Sequence, residues 1–207
     1  MFALTEEDRH RRVLGVADGP ASFNAEATRR GWKVTSVDPI YQFSAADIEA
    51  RFHAAVDGVF DQVLATPDHW AWSYHRDPGA LRAHRAQVLV EFSADFAGGR
   101  QRGRYVTGEL PHLPFTDGAF ELALCSHLLF LYADLLELDF HIRSLSEMLR
   151  VAREVRVFPL VSLDSKPSRH LIAVVDHFTA MGYAADTRKV DYELQRGGNE
   201  VLVLSAG

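Results

Sequence analysis

Cysteine is nearly absent from this chain. A single thiol in 207 residues, Cys125, excludes an internal disulfide, and its place inside an apolar strand reads as a buried structural thiol rather than a nucleophile. Long apolar runs are missing as well. No window approaches the length needed to cross a bilayer, and the N-terminus turns charged within a few residues, without the apolar core of a signal peptide. The expectation is a cytoplasmic protein with no membrane partner. A surplus of positive charge is lacking too: the net charge is −6 and the isoelectric point is near 5.9. No run of Lys and Arg is dense enough for a nucleic-acid footprint, and the cluster Arg100, Arg102 and Arg104 reads as solvated. The ten histidines form neither a helical H-x-x-x-H pair beside an acid nor a Cys/His ladder, so no metal site is expected. What is present is 47% apolar residues over a length that supports one well-buried core. A single α/β domain over residues 1–207 is expected, with a helical and loop insertion at about 65–99.

The most informative stretch is 13–38. A short apolar run leads into a tight turn at Ala17, Asp18 and Gly19, and a helix begins near Pro20 and ends at Gly31, a residue suited to a left-handed helix terminus. A second apolar strand follows and ends on Asp38. The acid lies nineteen positions after the loop glycine, close to the spacing at which a carboxylate meets the ribose hydroxyls of a bound nucleoside. Charge then discriminates between nucleosides. A dinucleotide brings a pyrophosphate to the helix N-terminus and favours further glycines there, whereas Pro20 and Ala21 hold those places and Asp18 would face the phosphates. S-adenosyl-L-methionine has no phosphate and carries a sulfonium and an ammonium against one carboxylate, which suits an acidic loop.

With those residues the stretch resembles motifs I and II of class I S-adenosylmethionine-dependent methyltransferases, Gly19 matching the central loop glycine and Asp38 the ribose acid. Two departures stand out. The family's acid near the end of the first strand is here Gly15, and the glycine before the loop is Ala17. Asp18 is the candidate to take over the methionine ammonium. Pro39 and Tyr41 follow the ribose acid closely enough for Tyr41 either to touch an adenine or to fill space at the strand end.

A second stretch, 108–132, resembles the family segment G-D-x-x-x-L-P-F-x-D-x-x-F-D-x-V. Glu109 takes the place of the acid that accepts from the adenine amine, Leu110 would supply a neighbouring amide and an apolar wall, and a central strand would run over 120–125. Ser126 and His127 stand just past that strand, at the edge where open α/β sheets bind ligands. They are candidates for cofactor or substrate contact. His127 reads either as a base toward an acceptor hydroxyl or amine or as a histidine bonded to backbone.

Elsewhere the pattern is helical at about 44–65 (Ser44 as N-cap with Asp47 three positions on), 78–97 ended by Gly98 and Gly99, 134–150, and 168–181. Between the first two lies an irregular segment carrying Trp70, Trp72, Tyr74, His69, His75 and Arg76, which reads either as a pocket lid or as a loop anchored on the core by its tryptophans. Two closing strands, about 183–194 and 200–204, flank R-G-G-N, a hairpin signal. Tyr192 and Glu193 lie where one of them would reach the cleft mouth.

The resemblance implies a three-layer Rossmann-like open sheet, mostly parallel, with an antiparallel C-terminal hairpin strand. It also implies methyl transfer to a small-molecule acceptor, which loops 65–79 and 161–166 would select. Only about a dozen residues precede the first strand, too few for the cap with which many of these enzymes cover substrate, although Phe2 and Leu4 are placed to fold over the cofactor pocket or to pack on the surface. Two other readings stand beside this one: an NAD(P)-dependent oxidoreductase on a similar frame, and a non-catalytic methyltransferase-like binding or scaffold protein.

Overall fold

The computed structural model describes residues 1–206. Seven strands form one sheet in the order β3-β2-β1-β4-β5-β7-β6. They are β1 (Arg12–Val16), β2 (Lys33–Val37), β3 (Tyr105–Val106), β4 (Phe120–Ser126), β5 (Ala152–Phe158), β6 (Tyr183–Lys189) and β7 (Glu200–Ala206). The first five run parallel, and β7 inserts antiparallel between β5 and β6. The near-continuous apolar runs of β1 and β4 follow from burial on both faces, as parallel strands under helical cover require. The sheet reverses its winding between β1 and β4, so the carboxyl ends of these two strands flank the crevice where such sheets bind ligands.

The helices are α1 (Phe23–Arg29), α2 (Ala45–Ala65), α3 (Pro78–Gln101), α4 (Leu138–Val151) and α5 (Leu171–Ala180). One face of the sheet is covered by α4 and α5, whose Leu145, Met148, Val174 and Phe178 are buried against Leu14, Val16, Val155 and Val157. Each such side chain removed from water contributes about 1.5–3 kcal/mol. No helix joins β3 to β4; Leu110 and Leu113 of the connecting loop cover that part of the same face. The opposite face is covered by α1, by α3 and by the N-terminal segment. Arg156 of β5, 5% exposed, fastens that segment by donating to Asp8 at 3.0 Å and to the carbonyls of Phe2 and Ala3 at 3.1 Å. Phe2 packs edge-on against Phe158, and Leu4 lies beside the cluster under α1, so both residues are packed on the sheet face.

Several boundaries follow from local chemistry. Ser44 and Asp47 form a reciprocal capping box at the start of α2, and Gly31 closes α1 with φ +85°. The helix α3 does not stop at Gly98 and Gly99 but runs through them to Gln101, and the chain reverses at Gly103 with φ +71°. Gly99 is needed inside the helix because a Cβ there would sit 2.4 Å from Cε2 of Tyr105. Arg104 is not solvated: its Nη2 donates to both carboxylate oxygens of Asp95 at 2.7 and 2.8 Å and so ties the start of β3 to α3. The strand β6 ends at Lys189 rather than near 194, because the chain leaves the sheet there and residues 194–196 pair with the segment before α3. The helix α4 starts at Leu138, leaving Leu135 outside it and 75% exposed.

Candidate active site at the carboxyl rim of the sheet

The turn after β1 is built around a missing side chain. Asp18 folds back beneath its own loop, and its carboxylate occupies the space that residue 15 would fill: a Cβ on Gly15 would lie 1.9 Å from Oδ2 of Asp18. Ser36 of β2 donates from Oγ to the same oxygen at 2.5 Å, and Asn24 of α1 donates to Ser36 Oγ at 3.1 Å. Although Asp18 as a residue keeps some surface, its carboxylate is enclosed, and burial pushes its pKa up to about 6, with the hydrogen bond from Ser36 opposing and the charge of Asp38 adding. No Lys or Arg pairs with it among the described residues.

Asp38, 7% exposed, closes β2 and ties the loop together. Its Oδ2 accepts from the Gly19 amide at 2.8 Å and its Oδ1 from the Ile40 amide at 2.9 Å. Burial raises its pKa, while those two amides pull it back. A carboxylate has about four acceptor positions, so lone pairs are left for further donors. Ala17 and Gly19 both take positive φ, 56° and 58°, and nothing lies within 4 Å of where a Gly19 Cβ would stand, so the backbone beside Pro20 is bare. Tyr41 is 1% exposed, its ring enclosed by Phe92, Phe96 and Tyr105, and its hydroxyl donates to the Gly19 carbonyl at 2.8 Å. Of the two roles open to Tyr41, filling the strand end describes this packing.

Pro39 opens a short 3-10 turn capped by Asp38. Across the crevice, Glu109 is exposed in the loop after β3, and Leu110 is buried with Val16 and Val37. Ser126 ends β4 half-buried, and His127 follows with φ +56°, its amide donating to the Phe158 carbonyl at 2.8 Å. Its ring meets Phe158 edge-on at 5.7 Å. Burial, helped by the Arg85 guanidinium, pushes the imidazole down to about 4, so it is neutral at ordinary pH. Cys125, one strand position earlier, is fully buried with its thiol pushed up to about 12, inert as a nucleophile.

The aromatic segment before α3 is anchored. Trp70 pairs with Gln195, the Ala71 amide donates to the Leu194 carbonyl at 2.8 Å, and Trp70 and Trp72 pack on Phe60, Leu81 and Leu194. An open depression of about 570 Å³ between Arg11, Arg153 and Ser205 adjoins the amino end of β5, away from these candidates. Among the described residues no group of three or more His, Cys, Asp or Glu side chains could hold a metal ion, and no helix is long and apolar enough to cross a membrane.

No family model matches the chain. It is 30% identical over 205 residues to an uncharacterized protein of Methanocaldococcus jannaschii, covering 99% of this chain and 90% of that protein. The chain belongs to that protein's family. Solved structures add the architecture. A S-adenosylmethionine-dependent methyltransferase of Methanosarcina mazei matches with a TM-score of 0.51 at 10% identity, covering 96% of this chain and 93% of its own. Magnesium protoporphyrin IX methyltransferase of Synechocystis, solved with its methyl donor bound, matches at 0.50 with 10% identity over 96% and 71%. A protein of Pyrococcus horikoshii matches at 0.50 with 12% identity over 98% and 84%. The family member described here therefore has the class I S-adenosylmethionine-dependent methyltransferase fold.

Two residues beside these candidates escaped sequence reasoning. Ser36 is a polar residue at an inward position of β2, and Arg85 interrupts the inward stripe of α3. Both were legible as breaks in an apolar pattern.

Proposed function

We propose that the chain binds S-adenosylmethionine at the carboxyl rim between β1 and β4 and catalyses methyl transfer to a small-molecule acceptor. The observation that carries this reading is the pair of enclosed carboxylates, Asp18 and Asp38, under one loop with no cation of their own. Such a loop repels a pyrophosphate and attracts a ligand whose charge is positive, which favours the methyl donor over a nicotinamide dinucleotide. When bound, the donor supplies an electrophilic methyl group on a sulfonium.

The chain's own residues then have separable tasks. Asp38 accepts from the sugar hydroxyls with the lone pairs its two amides leave free. The bare backbone at Ala17, Gly19 and Pro20 admits close approach, and the Tyr41 hydroxyl holds that backbone from beneath. Asp18 supplies the negative charge that the family places one turn earlier, since Gly15 vacates the space its carboxylate enters. Pro39, Glu109 and Leu110 border the adenine, Glu109 as acceptor for its amine and Leu110 as apolar wall. Ser126 and His127 border the reacting end. An imidazole pushed down to about 4 is a weak base, so His127 positions the acceptor, and rate enhancement comes mainly from alignment and exclusion of water.

Calorimetric titration tests the reading. S-adenosylmethionine and S-adenosylhomocysteine should bind and NADH should not, and Asp38→Ala should weaken binding at least tenfold. Release of S-adenosylhomocysteine across a panel of acceptors separates an enzyme from a binding protein. Tight NADH binding, or affinity untouched by Asp38→Ala, would sink the proposal.

A further inference from the structure

The inward stripe of α3 runs through Leu81, Arg85, Leu89, Phe92 and Phe96. Leu81 and Leu89 are 3% and 4% exposed, yet every residue from Arg82 to Gln87 is exposed, Arg85 included. For more than a turn, therefore, the core-facing side of this helix looks onto open space. That gap lies between the cluster holding Trp72 and Leu194 and the cluster holding Tyr41.

A run of ring contacts leads to it from the rim of the sheet, with Phe158 and His75 buried and His127, Tyr192, Tyr74 and His84 keeping surface. His127 meets Phe158 at 5.7 Å, Phe158 meets Tyr192 at 5.9 Å, Tyr192 meets Tyr74 at 5.2 Å, and His75 meets His84 of α3 at 5.1 Å. Arg85 is the cation of this gap. It stands four residues from both Leu81 and Leu89 and next to His84, whose ring meets His75, and its charge opposes protonation of His127, His75 and Tyr192. Burial is the larger cause for both histidines, His84 comes next for His75, and Arg85 adds to the effect. On α3 itself, Arg82 pairs with Asp57 and Glu91 with Arg29. Arg85 itself enters no ion pair or hydrogen bond among the described residues.

We propose that this gap is the acceptor cleft and that the acceptor is a planar aromatic molecule bearing a carboxylate, its rings met by the aromatic wall and its charge by Arg85. The inference rests on the methyltransferase reading for its direction, because the wall begins at His127 beside the cofactor rim. A guanidinium fork matches a carboxylate. Tyrosine and histidine rings offer faces for a planar ligand together with polar edges that orient it.

The test uses 4-hydroxybenzoate and its neutral counterpart 4-hydroxybenzamide as probes, titrated calorimetrically into the full-length protein with and without S-adenosylhomocysteine. The acid should bind at least tenfold more tightly than the amide. Arg85→Gln should abolish that preference, and Arg85→Lys should keep part of it. S-adenosylhomocysteine affinity serves as the folding control for both variants. Failure of both probes to bind, equal affinity for acid and amide, or a preference that survives Arg85→Gln overturns the proposal. If the acid binds through Arg85 while S-adenosylhomocysteine does not bind, the cleft stands and only the cofactor reading falls.

Discussion

Asp18→Asn is a nearly isosteric change that removes a charge and leaves the hydrogen bond, because an amide oxygen still accepts from Ser36. In the ligand-free protein the Asp18 carboxyl is displaced from 3.8 to about 6, chiefly by burial. A group of this kind holds its proton more tightly folded than unfolded. Its contribution to stability is therefore largest below about pH 4, falls as pH rises toward 6, and stays low above that. A shift of about 2 units is worth about 3 kcal/mol. Urea unfolding from pH 4 to 8 on both proteins, without cofactor, isolates the effect as a difference curve, since every other titrating group is shared. Asp18→Asn should gain up to about 3 kcal/mol at pH 7–8 and nothing at pH 4. The same variant should bind S-adenosylmethionine more weakly by tenfold or more, because the stored charge is what the ligand's cation meets. A variant less stable than the parent at pH 8, or a difference that does not change with pH, would refute the electrostatic account of this loop.

Three further outcomes follow from the same geometry. Gly15→Ala forces its Cβ into the Asp18 carboxylate, 1.9 Å away, and should destabilise by about 1–3 kcal/mol, with Gly15→Ala/Asp18→Ala recovering most of the loss in thermal unfolding. Tyr41→Phe keeps the ring packing and loses only the 2.8 Å bond to the Gly19 carbonyl, a change of about 1 kcal/mol that should lower Tm by about 2–4 °C. His127→Gln should leave the pH–rate profile above pH 6 unshifted, since the parent imidazole is already neutral there, and should reduce kcat by less than the roughly hundredfold expected of a lost general base, since an imidazole pushed down to about 4 is a weak one.

How much of this was legible in the sequence differs element by element. The first βαβ unit was readable because its signals are local: a strand, a turn, Gly31 at a helix end, and an acid whose distance from Gly19 becomes a 2.8 Å hydrogen bond. The Ser44 and Asp47 cap was readable for the same reason. Gly98 and Gly99 misled because two glycines signal a stop, whereas here the ring of Tyr105 needs the space at Gly99. The strand before R-G-G-N read too long because residues 194–196 pair not with β7 but with the segment around Trp70, a contact that no local pattern announces. In the site itself, the residue types and their place at the strand ends were readable. The direction of the Asp18 side chain was not, because it depends on an absence at residue 15 and a hydroxyl on the adjacent strand.

The central claim is that a buried, partly protonated carboxylate waits for a cation at this rim. Titrating S-adenosylmethionine at pH 6 in two buffers of different ionisation enthalpy reads the proton balance of binding directly. A carboxyl with a pKa of about 6 that becomes fully ionised beside the ligand releases about half a proton, and Asp18→Asn should release none. Proton uptake, or the same release from parent and variant, would contradict the account.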